Sequence, residues 1–181
     1  MPNVFISLGS NIDPEVNVRR AVGGLVRAIQ VRGISTVYRT TPIGRPDQPA
    51  FYNAVVLADT HIPARQLKFD VLRRIEDSLG RIRTSDKYSP RTIDLDIILY
   101  DDQVIREEGL IIPDPDIYTR PFLAAGVFEL APELILPDTS QPVRDVANRL
   151  PTAGMQPLPA YTESLRSYIV QIACEIRHEL P

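Results

Sequence analysis

The chain has 181 residues, a formal net charge of −3 and a hydrophobic fraction of 44%. These values fit one globular domain with a modest appendage, and they give no reason to expect a nucleic acid or a membrane surface as a partner. The single cysteine, Cys174, excludes an intrachain disulfide and a cysteine-based zinc site.

The N-terminal sequence and the hydropathy pattern bear on the cellular location of the chain. Residues 1–11 contain no charged region followed by a long apolar run, so we expect no signal peptide. No stretch approaches the roughly 18 consecutive apolar residues of a membrane span. We therefore expect a cytoplasmic protein.

Alternating strands and helices are predicted along the first half of the chain. Residues 4–8 form a short apolar run typical of a buried strand. Apolar side chains then recur at steps of three and four over 18–29, which predicts an amphipathic helix ended by Gly33. Residues 34–40 and 52–59 predict the second and third strands.

A second helix and a fourth strand complete this pattern. The helix is predicted to start at Pro63 and carries an apolar stripe over 67–79 before Gly80 ends it. Residues 81–92 form a polar, arginine-rich loop, and 93–100 predict the fourth strand. The order β-α-β-β-α-β is that of a ferredoxin-like α+β fold, an antiparallel sheet with both helices on one face and a free opposite face for a site.

The remainder of the chain is predicted to be less regular. Residues 137–160 are rich in proline and favour a linker, whereas apolar side chains over 165–180 predict a terminal helix at 163–180. We expect residues 1–150 to form the main domain, with residues 151–181 appended to it. The apolar stripe leaves two alternatives open, because it would either cover the domain or pair with a second copy in a weak homo-oligomer.

Two aspartates on the fourth predicted strand carry the strongest chemical signal. Alternate residues of a strand point to one face, so Asp94 and Asp96 share the face away from the helices. Like charges at this spacing favour a compensating cation, and magnesium is typically held by one or two carboxylates together with phosphates and water. The alternative is a solvated strand face. The helices then receive the alternating apolar side chains, which are Ile93, Leu95, Ile97 and Leu99.

Arginines near this strand point to phosphate. All basic residues except Lys68 and Lys87 are arginines, and Arg81, Arg83 and Arg91 bracket the loop that leads into the strand. Guanidinium groups beside paired carboxylates form a constellation suited to phosphoryl transfer. The alternative is a set of surface ion pairs. The P-loop signature is absent from the sequence, so this is not a P-loop enzyme.

An aromatic residue and an amide share a face of the third predicted strand. Phe51 and Asn53 follow a rigid, proline-rich segment at 41–50. Such a pair can hold a flat heterocycle by stacking and by donor–acceptor pairing. The alternative is a loop closed by an ordinary core aromatic.

An ordered set of motifs runs from residue 3 to about residue 150. They are S-L-G-S-N at 7–11, Y-R-T-T-P-I-G at 38–44, D-Q-P-A-F-Y-N-A at 47–54, G-R-I-R at 80–83, P-R-T-I-D-L-D-I at 90–97, R-P-F at 120–122 and F-E-L-A-P-E-L at 128–134. The set resembles the 6-hydroxymethyl-7,8-dihydropterin pyrophosphokinase family.

This resemblance implies a reaction and its cofactor. The family transfers diphosphate from ATP, its co-substrate, to the hydroxymethyl group of the pterin in folate biosynthesis and releases AMP. Two magnesium ions would be bound by Asp94 and Asp96. The partners would be these small molecules, with no nucleic acid and no membrane.

The resemblance also implies roles for individual side chains. The pterin would lie between Phe51 and Phe122, with Asn53 pairing with its polar edge. Arg81 and Arg91 correspond to catalytic arginines. Further pterin-site positions are Thr40, Thr41, Pro42, Ile43 and Tyr88. The ATP-binding positions are Glu76, Arg83, Arg91, Ile97, Asp114 and Arg120.

One position departs from the family pattern. The family commonly has a histidine that faces the phosphates where this chain has Asp114, which reverses the local charge preference. A non-catalytic pterin- or nucleotide-binding relative is therefore one alternative. An RNA-binding module of the same topology is another, but the acidic strand face argues against it.

Overall fold

An antiparallel sheet forms the centre of the molecule. The computed structural model describes residues 1–42, 44–45, 47–84, 86 and 89–179, the last of these by its backbone alone. The strands within these residues are β1 (Asn3–Ser10), β2 (Gln30–Ile34), β3 (Tyr38–Thr40), β4 (Phe51–Asp59), β5 (Asp94–Tyr100), β6 (Ile105–Glu107), β7 (Leu110–Ile112) and β8 (Met155–Pro157). The central sheet has the order β5-β1-β4-β3-β8, with β2 also paired to β4, and β6 and β7 form a separate hairpin.

Helices pack on both faces of this sheet. They are α1 (Pro14–Ala28), α2 (Ala64–Gln66), α3 (Arg73–Ser78), α4 (Pro121–Leu130), α5 (Val143–Arg149) and α6 (Pro159–Glu179). A π-helical stretch, Leu67–Leu72, joins α2 to α3, so the second predicted helix is one continuous helical segment. A short 3₁₀ helix, Pro115–Tyr118, precedes α4.

The predicted ferredoxin-like order is confirmed, with β1 in the centre between β4 and β5. The second strand differs from the prediction because it begins at Gln30 and is interrupted after Ile34. At the interruption a side chain takes the place of one backbone hydrogen bond between the strands, since Ser35 Oγ accepts from the Val55 N–H at 2.9 Å. Gly33 lies inside β2, so the prediction that it ends α1 was wrong.

The alternation along β5 is broken once. The pairing with β1 shifts register between Phe5 and Ile6, which leaves Ile98 as an extra residue. The bulge turns Leu99 to the face opposite Ile97, so the prediction that Leu99 faces the same helices was wrong. Asp94 and Asp96 lie before the bulge, where the alternation holds.

Two hydrophobic cores lie on opposite faces of the sheet. One packs α1, α3 and α6 against one face, through side chains such as Leu25 and Leu165. The other packs α4 and α5 against part of the second face, through Val127 and Val146. The expectation of a free second face was therefore wrong for this part, whereas the end of the sheet near Gly9 and Asp94 stays open.

The segment predicted as a linker carries structure. Within residues 137–160, α5 buries Val143 and Val146, and β8 extends the sheet by pairing with β3. Prolines obscured both elements because they begin or end them rather than interrupt them: Pro142 precedes α5 and Pro157 ends β8.

The apolar stripe of α6 packs against the domain, as the first of the two alternatives for this helix predicted, and the oligomeric state stays a prediction. Leu165, Ile169 and Ile172 are buried in the core that includes α1. The approach of α6 to α1 is close, since a Cβ added at Gly23 would meet Tyr168 Oη at 2.8 Å. Cys174 is exposed on the outer side of α6. None of the helices in the described part of the chain has the length and apolarity needed to span a membrane.

Candidate functional site

A cavity of about 520 Å³ opens at the end of the sheet that α4 leaves uncovered. Its size is typical of pockets for small ligands. Strands β1, β4 and β5 supply its floor, and the start of α4 and the segment before β8 supply its walls. The lining residues singled out from the sequence are Thr40, Thr41, Pro42, Phe51, Asn53, Arg91, Asp94, Asp96, Asp114, Arg120 and Phe122.

Asp94 and Asp96 lie on the cavity face, as the strand alternation predicted. The register with β1 places Asp94 opposite Gly9 and Asp96 opposite Ser7. Both of these β1 residues also line the cavity. The small side chains of β1 therefore leave the two carboxylates open to a ligand.

The two carboxylates pair with different cations. Arg91 Nη1 makes a short ion pair with Asp94 Oδ2, and Arg81 Nη2 lies 3.4 Å from Asp94 Oδ1. Asp96 is bound by a lysine instead, with Lys68 Nζ 2.8 Å from its Oδ1. Partial burial raises the pKa of Asp96, and the neighbouring Lys68 charge opposes this rise.

The donor set suits a hard cation that also binds phosphate. Among residues 1–42, 44–45, 47–84, 86 and 89–178, no group of three or more His, Cys, Asp and Glu side chains is placed to hold a metal ion. Asp94 and Asp96 offer oxygen ligands on one open face, and arginines stand beside them. Magnesium bound by two carboxylates, phosphate oxygens and water matches this arrangement better than a metal enclosed by protein ligands.

The other end of the cavity combines an aromatic ring with an amide. Phe51 and Asn53 share the cavity face of β4, as predicted. Asn53 Nδ2 donates a hydrogen bond of 2.7 Å to Thr40 Oγ1, which fixes the amide. Gly9 makes room for this amide, because a Cβ at Gly9 would stand 2.6 Å from Asn53 Oδ1.

The first turn of α4 forms the opposite wall. Phe122 lies there, half-buried, and it lines the same cavity as Phe51. Arg120 precedes the helix and pairs with Asp116 at 2.6 Å, with both side chains at the cavity. Arg91 lies between the two ends of the site, since its guanidinium is 5.7 Å from the centre of the Phe51 ring.

Three residues singled out for ATP lie outside the cavity lining. Ile97 is buried in the core formed with α1, α3 and α6, so its side chain does not reach the cavity. Glu76 is buried behind β5, where its Oε1 accepts a hydrogen bond of 2.9 Å from the Leu95 N–H. Arg83 makes a short ion pair with Glu76 and a second pair with Asp77 at 3.0 Å.

Arg81 and Asp114 are the remaining predicted site residues that the structure describes. Arg81 is placed by its pair with Asp94, and its Nε is buried with no hydrogen-bond partner among the described residues. Asp114 lines the cavity and caps the 3₁₀ helix, since its Oδ1 accepts a hydrogen bond of 2.8 Å from the Asp116 N–H. Ile43 and Tyr88 lie outside the described residues.

Asn11 is a residue whose part in the site the sequence did not reveal. It is 2% exposed, its Oδ1 accepts a hydrogen bond of 2.8 Å from the Arg91 N–H, and its Nδ2 donates to Pro49 O at 3.4 Å. One side chain therefore ties together the loops that carry Phe51 and Arg91. The S-L-G-S-N motif contains Asn11, but no local pattern indicates these distant partners.

The C-terminal segment also contributes a wall that was not predicted. Met155 pairs with Thr40 through β3 and β8, and Ala153, Gly154 and Met155 line the cavity. The backbone of Leu158 donates to Val37 O at 2.9 Å, and Thr162 Oγ1 accepts from the Val37 N–H at 3.0 Å. These bonds hold the segment against β3.

Glu76 should make stability depend on pH. Burial, as the main cause, raises its pKa from 4.5 to about 7. Between these values the folded chain keeps a proton that the unfolded chain releases, so the free energy of unfolding falls as pH rises. We expect this fall between pH 5 and 7.5 to be smaller by about 2 kcal/mol in Glu76→Gln. Urea unfolding of the wild type and of Glu76→Gln in metal-free buffer at each pH checks this. The same dependence of the unfolding free energy on pH in both proteins would contradict it.

Comparisons with known proteins identify the family of this chain. The family model of 7,8-dihydro-6-hydroxymethylpterin-pyrophosphokinase (HPPK) matches residues 5–132. The 2-amino-4-hydroxy-6-hydroxymethyldihydropteridine pyrophosphokinase of Haemophilus influenzae is 35% identical over 142 residues, which cover 77% of this chain and 88% of that protein. The Bacillus subtilis protein of the same name is 38% identical over 133 residues, with 72% and 78% covered.

Longer proteins contain a similar unit. The folic acid synthesis protein fol1 of Pneumocystis carinii is 35% identical over 157 residues, but the chain spans only 21% of its length. A crystal structure of Plasmodium falciparum HPPK-DHPS superposes with a TM-score of 0.65 at 12% identity, covering 82% of this chain and 45% of that one. At this identity the superposition supports the fold alone, whereas the matched family model and the bacterial relatives cover most of the chain. The chain therefore belongs to the 7,8-dihydro-6-hydroxymethylpterin-pyrophosphokinase family.

Proposed function

We propose that this chain transfers the diphosphate of ATP to the hydroxymethyl group of 6-hydroxymethyl-7,8-dihydropterin in folate biosynthesis and releases AMP. The observation that carries the proposal is the joining of two chemistries in one cavity. Phe51 and Asn53 suit a flat heterocycle at one end, and Asp94, Asp96 and Arg91 suit metal-bound phosphates at the other.

The pterin end would orient the attacking oxygen. Phe51 and Phe122 would stack against the ring, while Asn53, held by Thr40, would pair with its polar edge. This placement directs the hydroxymethyl oxygen toward the carboxylate end of the cavity. Positioning of this kind can supply much of the rate enhancement of a phosphoryl transfer.

The phosphate end would neutralise charge. Two magnesium ions held by Asp94 and Asp96 would, when bound, polarise the phosphate oxygens and bring attacking and leaving groups into line. Arg91 and Arg81 already stand at Asp94, from which their guanidiniums can donate to phosphate oxygens. The new bond joins the pterin oxygen to the β-phosphorus as the bond to the oxygen shared with the α-phosphorus breaks. AMP leaves and the hydroxyl proton passes to solvent.

The direct test is AMP formation by the purified chain from ATP and the hydroxymethyl pterin. Appearance of AMP with an equal amount of pterin diphosphate supports the assignment. Binding of both ligands without AMP would instead favour the non-catalytic relative.

We also propose a monomer, because α6 buries its apolar stripe against α1. The cytoplasmic location stays a prediction.

Phe122→Ala should separate the two ends of the site. Loss of the ring removes one wall of the pterin sandwich, so we expect pterin affinity to fall about tenfold, while affinity for magnesium–ATP stays nearly constant. Calorimetric titration of each ligand checks this. Phe128→Ala is a useful control, because Phe128 lies on the same helix in the second core and outside the cavity lining. Equal losses for both ligands would contradict the sandwich.

A further inference from the structure

Lys68 is a charged residue at the site to which the proposed reaction assigns no role. Its Nζ lies 2.8 Å from Asp96 Oδ1, and its side chain is only 23% exposed. It stands on the π-helical stretch Leu67–Leu72, a distortion that re-aims side chains and often occurs at functional sites. The helix therefore presents an ammonium group to a proposed metal ligand.

The lysine and the arginines serve different carboxylates. Asp94 is bound by Arg81 and Arg91, whereas the ion pair of Asp96 is with Lys68. A guanidinium is a planar fork that stays in one orientation, but an ammonium is a compact charge on a flexible stem with freely rotating donors. Lys68 is thus the cation of this group that can leave its carboxylate with the least rearrangement.

Asp114 offers the lysine a second partner. It lines the same cavity as Asp96, and its N–H donates to Ile98 O at 2.8 Å, which holds it beside β5 two residues beyond Asp96. The Lys68 charge lowers the pKa of Asp114 against the larger rise caused by burial. One oxygen of Asp114 caps the 3₁₀ helix by accepting from Asp116, which fixes the carboxylate at the cavity. The acid that replaces the family's histidine therefore lies within the electrostatic reach of Lys68.

We propose that Lys68 is a tethered counter-ion of the metal site, which neutralises Asp96 in the free enzyme and moves to Asp114 when a divalent cation takes Asp96. The inference rests on the proposed metal role of Asp96. Lys68 then acts through Asp96 and competes with the metal for this carboxylate when no nucleotide is bound. It also gives Asp114, which stands where the family commonly has a histidine, a function of its own.

Manganese binding without nucleotide tests the competition. Mn²⁺ titrations followed by electron paramagnetic resonance should give about tenfold tighter binding to Lys68→Met than to the wild type, because the ammonium no longer competes. Lys68→Arg keeps a cation beside Asp96, so it should bind Mn²⁺ no more tightly than the wild type. Arg65→Met is the matched control for loss of one positive charge, since Arg65 lies on the same helical segment and pairs with Glu107 at 3.3 Å.

The outcomes separate this inference from the proposed function. Equal Mn²⁺ affinity for Lys68→Met and the wild type, with binding lost in Asp96→Ala, would overturn the counter-ion while leaving the metal role intact. Unchanged Mn²⁺ binding in Asp96→Ala would overturn both. If Lys68→Met does not fold by circular dichroism, Lys68→Gln is judged by the same comparison.

A double-mutant cycle tests the second partner. Affinity for a non-hydrolysable ATP analogue with magnesium is measured for Asp114→Asn, Lys68→Met and the double variant. If the lysine moves to Asp114, the effect of Asp114→Asn should differ at least threefold between the wild-type background and the Lys68→Met background, a coupling within the range of contacting charges. Strictly additive effects would overturn the transfer to Asp114.

Discussion

Asp96→Ala is expected to reduce the rate of AMP formation by about 1,000-fold or more while the chain still folds. The substitution removes one of two carboxylates on the open face of β5, and metal charge at a phosphoryl group is worth several kcal/mol in the transition state. Asp96 contributes little to either core, so its loss leaves the packing intact. Steady-state rates over a magnesium titration check this.

A matched control makes this result specific. Asp145→Ala removes an exposed carboxylate from α5, which pairs with its exposed neighbour Arg144, and it should retain wild-type rates. Circular dichroism and urea unfolding verify that both variants fold. An Asp96→Ala protein with unchanged activity across the magnesium titration would refute the metal assignment.

Gly9→Ala should weaken pterin binding by about 100-fold. The added Cβ would lie 2.6 Å from Asn53 Oδ1, and β1 cannot move aside because it is paired on both edges. Asn53 must therefore turn away, which breaks its bond to Thr40 and misdirects the amide. Two hydrogen bonds of roughly 1.5 kcal/mol each correspond to this loss. Affinity for magnesium–ATP should change far less.

Gly33→Ala is the natural comparison for this variant. It makes the same chemical change in the same sheet, but its Cβ would meet Leu130 Cδ2 at 3.5 Å, an ordinary contact away from the cavity. Its pterin affinity should equal that of the wild type in fluorescence or calorimetric titrations. Wild-type pterin affinity in Gly9→Ala would show that the Asn53 amide does not need its present orientation.

Local periodicity predicted much of the fold and the carboxylate end of the site. Alternation placed Asp94 and Asp96 on one face because that part of β5 is regular. The same rule failed at Leu99, since a bulge depends on the neighbouring strand and leaves no mark in a single sequence. Apolar spacing predicted α1, the segment from α2 to α3, and α6, whereas prolines at their ends hid α5 and β8.

Contacts between distant segments were beyond the reach of such patterns. Asn11 meets Pro49 and Arg91, and Lys68 meets Asp96, across separations that no spacing rule connects. Ile97 was assigned to ATP through the resemblance, although its position in the strand alternation already placed its side chain toward the helices. The assignment of Ile97 to ATP stays a prediction.

The central position of β1 has a consequence for how the chain is made. This first strand leaves the ribosome long before β4 and β5, the partners that cover its two edges. Until they emerge, its apolar residues and unpaired backbone groups are available to other chains. Chaperone demand during synthesis should therefore persist until residue 100 has emerged from the ribosome, and shorter nascent chains should aggregate most readily.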